Sequence, residues 1–382
     1  MIVHCLLVRI GFPHETTDVE RRVSITPGIA KRYMSADHVV VVARDAGVAA
    51  GHLDADYEAA GCQIVDSPWD ADADAIVVVG RPETAQAAQL RDGALLLGLL
   101  SPLEDPAAMQ ELATTGMTAM AFETLPRTTR AQSMDVLSSQ ATLAGYQMVL
   151  EAASRLPRIF PMMMTAAGTI RPSTVVVLGA GVAGLQAIAT ARRLGAIVKA
   201  FDVRSAAAEQ VESLGATFID VDLEAQDEST SGGYAQQLDA DEIARLVAGL
   251  QPFLHDADVV VTTAAIPGRR APVLVTVDTV RNMRPGSVIV DGAAATGGNC
   301  ELTEADKEVV ANGVTIVGPT DLPSRVAAHA SQMLARNAYE LLTHVWSTDK
   351  LDLEDEIVAG VTITHGGAVV NQRVLTLLEE TP

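Results

Sequence analysis

Six residues, Gly179-Ala180-Gly181-Val182-Ala183-Gly184, carry the plainest chemistry in this sequence. They follow the apolar run Thr174–Leu178 and open a stretch of helical pattern reaching Leu194, and Asp202 closes the next apolar run. Glycine at the first position permits a tight turn, at the second lets backbone N–H groups approach a pyrophosphate, and at the third lets helix and strand pack closely. The helix N-terminus adds about half a positive charge facing the phosphates. Asp202 comes 23 residues after Gly179, close to the spacing of about 20 expected of an acid that hydrogen-bonds the adenosine ribose hydroxyls. Its charge would repel a 2′-phosphate, which favours NAD(H) over NADP(H). Arg204 is the opposing signal, because an arginine there can hold such a phosphate. A glycine-rich turn serving no ligand is the plain alternative, but strand, helix and acid together point to dinucleotide binding.

Such a turn needs a parallel sheet to carry it. Short runs rich in Val, Ile and Leu recur at Ile2–Ile10, His38–Ala43, Ala75–Val79, Ala94–Leu100 and Thr118–Phe122. A second series occupies Thr174–Leu178, Ile197–Phe201, Thr217–Ile219, Asp258–Thr262, Ser287–Val290 and Val314–Val317. Runs of this kind, separated by stretches of helical length, mark strands buried on both faces of a parallel sheet. Between the series, Ser138 to Leu156 reads as one long helix, and Ser324 to Val345 as a second. The expected fold class is therefore α/β: two doubly wound parallel-sheet (Rossmann-like) domains linked by two long helices. The chain would leave the first domain, build the second and return, giving 1–138 plus 327–382 as a discontinuous first domain and 139–326 as the nucleotide-binding one.

Composition limits the partners. The 382 residues carry 27 Lys and Arg against 48 Asp and Glu, a net charge of −21. Such a surface repels phosphate backbones and anionic lipid, and no basic stripe with interleaved aromatics interrupts it, so no nucleic-acid binding is expected. Mean hydropathy is +0.23, yet no apolar run reaches the roughly 20 residues of a bilayer crossing, so no direct membrane insertion is expected. The N-terminal Met-Ile-Val-His-Cys-Leu-Leu-Val-Arg lacks a basic leader and a cleavage pattern and reads as a buried strand. Cys5, Cys62 and Cys300 match no disulfide or metal spacing, which fits a reducing cytoplasm and no metal site.

Longer stretches carry a resemblance. Pro126-Arg127-Thr128-Thr129-Arg130-Ala131-Gln132-Ser133-Met134-Asp135-Val136-Leu137-Ser138-Ser139-Gln140 and Phe160-Pro161-Met162-Met163-Met164-Thr165-Ala166-Ala167-Gly168-Thr169 are two of them. With Gly184 to Ala191, Glu209 to Gly215, Gly297-Gly298-Asn299-Cys300 and Pro323-Ser324-Arg325-Val326-Ala327, they resemble the NAD(H)-binding component of proton-translocating nicotinamide nucleotide transhydrogenase, within an alanine dehydrogenase-like superfamily. The resemblance covers nearly the whole chain. It implies a homodimer that holds NADH and passes hydride to NADP+ on a partner subunit. It also implies membrane-spanning subunits that couple this to proton translocation, with this chain peripheral on the cytoplasmic face through those partners.

The resemblance also assigns residues. Arg127, Gln132 and Asp135 would lie beside the nicotinamide as the catalytic loop, with Leu137 and Ser138 following. Hydride transfer needs no general base, so the protein's task is to orient the ring. Read without the resemblance, the same loop is an ordinary helix start, with Ser133 or Asp135 as its cap. Val182, Val203 and Ala265 would surround the phosphates and adenine, or simply pack. Met162, Met163 and Met164 read as adaptable packing before a strand. The polar stretch from Asp220 to Asp239 would be a lid whose Gly233 and Tyr234 close over the nucleotide, or a tolerated surface insertion.

Two other functions compete. An alanine dehydrogenase-like enzyme would need polar groups for an amino-acid substrate. Arg22 matches that pattern, but Val78, Ser101 and Ala295 stand where it has Lys, His and Asp. A non-catalytic NAD(H)-sensing module would keep the glycines and Asp202 without needing Arg127, Gln132 and Asp135 together.

Overall fold

The computed structural model describes residues 7–15, 17, 19–70, 72–221, 239–265, 268–348 and 350–380. The chain divides into two units, Met1–Gln140 with Ser324–Pro382, and Ala141–Pro323. In chain order the strands are β1 (Arg9–Phe12), β2 (Val39–Ala43), β3 (Gln63–Val65), β4 (Ala75–Gly80), β5 (Leu95–Leu99) and β6 (Thr118–Ala121) in the first unit. The second unit carries β7 (Met163–Thr165), β8 (Gly168–Ile170), β9 (Thr174–Leu178), β10 (Ile197–Phe201), β11 (Thr217–Phe218), β12 (Val259–Thr262), β13 (Val288–Asp291), β14 (Glu308–Ala311) and β15 (Val314–Val317). The chain then returns to the first with β16 (Thr362–His365) and β17 (Ala368–Val369).

Among the described residues the first unit's sheet has the order β17-β16-β6-β5-β4-β1-β2-β3, and the second's is β11-β10-β9-β12-β13-β15-β14. Both are parallel in the middle, where most central strands are followed by a helix that crosses back over a face. Neighbouring residues go to opposite faces: Val77 joins one core of the first unit and Val78 the other, as Val177 and Val176 do in the second. Each such side chain contributes roughly 1.5–3 kcal/mol when fully buried, which explains why these strands read as uninterrupted Val and Ile.

Strands at and next to the sheet edges depart from this rule. β14 pairs antiparallel with β15, and β16 pairs antiparallel with both β6 and β17. β3, β14, β16 and β17 are two to four residues long and lie outside the strands that the sequence pattern predicts. In the second unit strand order reverses between β9 and β12, the switch point at whose carboxyl end open α/β sheets bind ligands.

A long helix, Val136–Arg155, runs from the first unit into the second, and another, Ala327–Val345, opens the return behind the turn Ser324–Val326. Met162, Met163 and Met164 correct an expectation. They are 61%, 43% and 73% exposed, Met162 just before β7 and Met163 and Met164 within it, and they join no apolar core among the described residues. Among the described residues no helix is long and apolar enough to cross a membrane.

Candidate functional site

In the second unit the glycine turn joins β9 to the helix Val182–Arg193, and each glycine is used differently. Gly179 has φ of 98°, and a Cβ there would lie 2.7 Å from Thr263 Oγ1. A Cβ on Gly184 would stand 1.8 Å from the Gly179 carbonyl oxygen, so the helix rests against the turn. Gly181 is the opposite case: its φ of −74° suits any residue, and no atom lies within 4 Å of where its Cβ would be. Space is thus left at the helix N-terminus, where backbone N–H groups and the helix dipole attract an anion. Val182, the first helical residue, is 44% exposed. Val203 is partly buried against the core, and Ala265 is exposed.

Asp202 ends β10 nearly buried, at 9% exposure. Its Oδ2 accepts from Ala180 N at 2.7 Å, which ties the turn to the acid. Its Oδ1 accepts from Arg204 N and Arg204 Nε, both at 2.9 Å, and Arg204 Nη2 reaches Oδ2 at 3.1 Å. Arg204 therefore neutralises Asp202, and any 2′-phosphate must compete with that carboxylate. These four bonds fill the roughly four lone-pair sites of a carboxylate, so ribose hydroxyls reach Asp202 only by taking over bonds that Arg204 now makes.

Two residues with no role in the sequence reading support this end of the sheet. Asn299 Oδ1 accepts from Ala264 N at 3.1 Å, while its Nδ2 donates to the carbonyls of Ala264 and Pro272, both at 2.8 Å. This holds the segment leading to Ala265. Asp291, fully buried, accepts from Thr262 Oγ1, Ala293 N, Cys300 N and Thr303 Oγ1 at 2.7–3.0 Å. Four donors make its burial tolerable, where an unpaired buried charge would be very costly.

The first unit holds Arg127, Gln132, Asp135, Leu137 and Ser138 together. Arg127 and Gln132 are exposed, and Gln132 lies in the short 3-10 segment Thr129–Met134 whose Ala131 and Met134 enter the core. Asp135 caps the long helix: its Oδ1 accepts from Ser138 N at 2.9 Å and its Oδ2 from Ser138 Oγ at 2.6 Å. The helix-start reading thus describes the geometry of Asp135, and the carboxylate fixes Ser138 as well. Leu137 is half-buried beside them. Gly233 and Tyr234 lie outside the described residues, as does most of the stretch from Asp220 to Asp239.

The positions of an amino-acid dehydrogenase site can be inspected in the same unit. Arg22 donates from Nε and Nη2 to Glu20, at 2.8 and 2.6 Å, and from Nη1 to Gln140 Oε1 at 2.9 Å, so its guanidinium is already paired. Val78 is buried in the core, and Ser101, with φ of 53°, donates its backbone N–H to Glu123 Oε1 at 2.7 Å. In the second unit Ala295 is exposed.

Two acids at the carboxyl ends of β4 and β5 escaped the sequence reading. Glu15 accepts from Val79 N at 2.7 Å and Gly80 N at 3.1 Å. Burial raises its carboxyl to about 7 against the pull of these N–H groups, and burial does the same to Glu123. A lone Glu in a loop carries no sequence signal of such an environment.

Comparison with known proteins agrees with this anatomy. Residues 11–144 match the family described as alanine dehydrogenase/PNT, N-terminal domain, and residues 148–372 match alanine dehydrogenase/PNT, C-terminal domain. An NAD(P) transhydrogenase subunit alpha chain of Rhodospirillum rubrum is 46% identical over 376 residues, covering 95% of this chain and 98% of that protein. A crystal structure of transhydrogenase from Sinorhizobium meliloti superposes with a TM-score of 0.84 at 43% identity, covering 95% of this chain and 99% of that one. An L-alanine dehydrogenase structure has nearly the same fold, with a TM-score of 0.81 over 97% of this chain and 99% of that one, but only 26% identity. The chain belongs to the alanine dehydrogenase/PNT family, on the branch of the NAD(P) transhydrogenase alpha subunits.

Proposed function

We propose that this chain is the NAD(H)-holding component of a proton-translocating transhydrogenase, and that it presents NADH to NADP+ held on a partner subunit. The observation that carries the reading is the open space at Gly181 beside the Asp202 carboxylate. The turn's N–H groups bind the pyrophosphate, Asp202 accepts from the adenosine ribose hydroxyls, and Val182, Val203 and Ala265 flank them. Bound NADH supplies the hydride from its nicotinamide ring. Arg127, Gln132 and Asp135 orient that ring, and Asp135 does so through Ser138 and the helix start that it caps. Leu137 shields this end from water. None of these groups needs to move a proton, because hydride transfer between two nicotinamides depends on alignment.

Other subunits supply the NADP(H) site and the membrane-spanning region, so the chain sits on the cytoplasmic face of a membrane through its partners. The exposed apolar hairpin bearing Met162, Met163, Met164 and Ile170 supports a homodimer, since a second copy would cover it. Amino-acid oxidation is disfavoured because Arg22 is already paired and Val78, Ser101 and Ala295 offer no acid or base. The test is to mix the purified chain with an NADP(H)-binding transhydrogenase component and follow hydride transfer from NADH to NADP+. Transfer that requires both components supports the reading. Reduction of NAD+ by L-alanine, or no transfer with a competent partner, overturns it.

A further inference from the structure

The loop Thr129–Met134 presents Gln132 to solvent, and its backbone is gripped from one side. Ala131 and Met134 are buried with Leu334, Ala338 and Leu341 of the helix Ala327–Val345. On the same face of that helix lies Asn337, only 8% exposed. Its Nδ2 donates to the Ser133 carbonyl at 2.7 Å, and its Oδ1 accepts from Ser139 Oγ at 2.8 Å. One buried amide thus ties the residue after Gln132 to the first turn of the helix Val136–Arg155, which Asp135 caps. The loop's other polar tether is weaker. Arg130 Nη1 meets Asp355 Oδ2 at 3.5 Å with the arginine side chain 62% exposed, and exposed pairs of this kind contribute little.

We propose that Asn337 is a positioning residue for hydride transfer: by holding the Ser133 carbonyl it fixes the backbone from which the Gln132 amide orients the nicotinamide. This rests on the reading of the loop given under Proposed function. Asn337 touches neither substrate nor cofactor and acts only through the loop. Displacing a positioning group by about 1 Å can cost of order a hundredfold in rate, so loss of one of the loop's several anchors should cost less, about tenfold.

The experiment is a double-mutant cycle on the full-length chain with its NADP(H)-binding partner component. It reads the single-turnover rate of hydride transfer from NADH to NADP+ beside NADH titrations. Asn337→Ala should slow transfer about tenfold while the NADH dissociation constant stays within about twofold, and in a Gln132→Ala background it should slow transfer no further, because coupled residues are not additive. Ser139→Ala, which leaves the bond to Ser133 in place, should keep the parental rate. Where Asn337→Ala fails to fold, Asn337→Ser, too short to reach Ser133 and still polar, takes its place in the cycle. A Gln132→Ala chain that transfers hydride at the parental rate overturns the nicotinamide reading of the loop and this inference with it. A slow Gln132→Ala whose effect multiplies with that of Asn337→Ala overturns this inference alone, as does an Asn337 variant altered only in NADH affinity.

Discussion

Alanine at Gly181 and alanine at Gly184 should have opposite consequences, although the residues stand three apart in one turn. At Gly181 the new methyl meets no atom within 4 Å, and φ of −74° is comfortable for alanine. The chain without nucleotide should therefore be as stable as the parent, or more stable by about 0.4–1 kcal/mol, because alanine restricts the unfolded chain. The methyl would, however, occupy the space assigned to the pyrophosphate. Pushing the phosphates away from one charge-assisted N–H bond costs about 1.5–3 kcal/mol, which is roughly a ten- to hundredfold loss of NADH affinity. At Gly184 the methyl would lie 1.8 Å from the Gly179 carbonyl oxygen. Helix and turn must part, and forced overpacking costs about 1–3 kcal/mol or more. Urea unfolding without nucleotide and fluorescence titration with NADH separate the two effects. Unchanged NADH affinity in Gly181→Ala, with the fold intact, would refute the placement of the phosphates.

Wild-type protein should bind NADH much more tightly than NADPH in equilibrium dialysis, because the Asp202 carboxylate accepts from a 2′-hydroxyl but repels a 2′-phosphate; equal affinity would show that Arg204 prevails. The raised carboxyls of Glu15 and Glu123 give a pH prediction. Each moves from 4.5 to about 7 on folding, so the folded chain holds these protons more tightly than the unfolded chain does. Their contribution is fullest below about pH 4.5 and is lost as pH rises to about 7. Urea melts should show the wild type losing stability relative to Glu15→Gln between pH 5 and pH 8, even though the amide can accept only one of the two bonds from Val79 and Gly80. A constant difference across that range would mean that Glu15 ionises as readily in the fold as outside it.

The second unit's β9, β10, β12, β13 and β15 were legible because apolar, mostly β-branched residues buried against one core or the other dominate each short run. Gln63–Val65, Glu308–Ala311 and Thr362–His365 were not: the first two are short edge strands without a fully buried position, and the third, inside its sheet, interrupts its apolar pattern with two threonines. The glycine spacing and Asp202 could be read because backbone geometry dictates them. That Asp202 also holds Ala180 N could not, because a side chain's second partner leaves no trace in spacing. Asn299 and Asn337 show the same limit. A buried amide that braces a loop looks, in sequence, like any surface asparagine. The methionine run misled for a related reason: polarizable apolar side chains suit a core and an exposed hairpin equally well.

The bond from Ala180 N to Asp202 bears on any attempt to redesign cofactor preference. Exchanging the acid for a small neutral residue, the obvious route toward NADP(H), would remove the acceptor that steadies the phosphate-binding turn and release Arg204 in the same step. Selectivity and phosphate binding therefore change together here. A working redesign must supply a new acceptor for the Ala180 N–H, a serine or asparagine at position 202 for example, before the freed arginine can be used to recruit the extra phosphate.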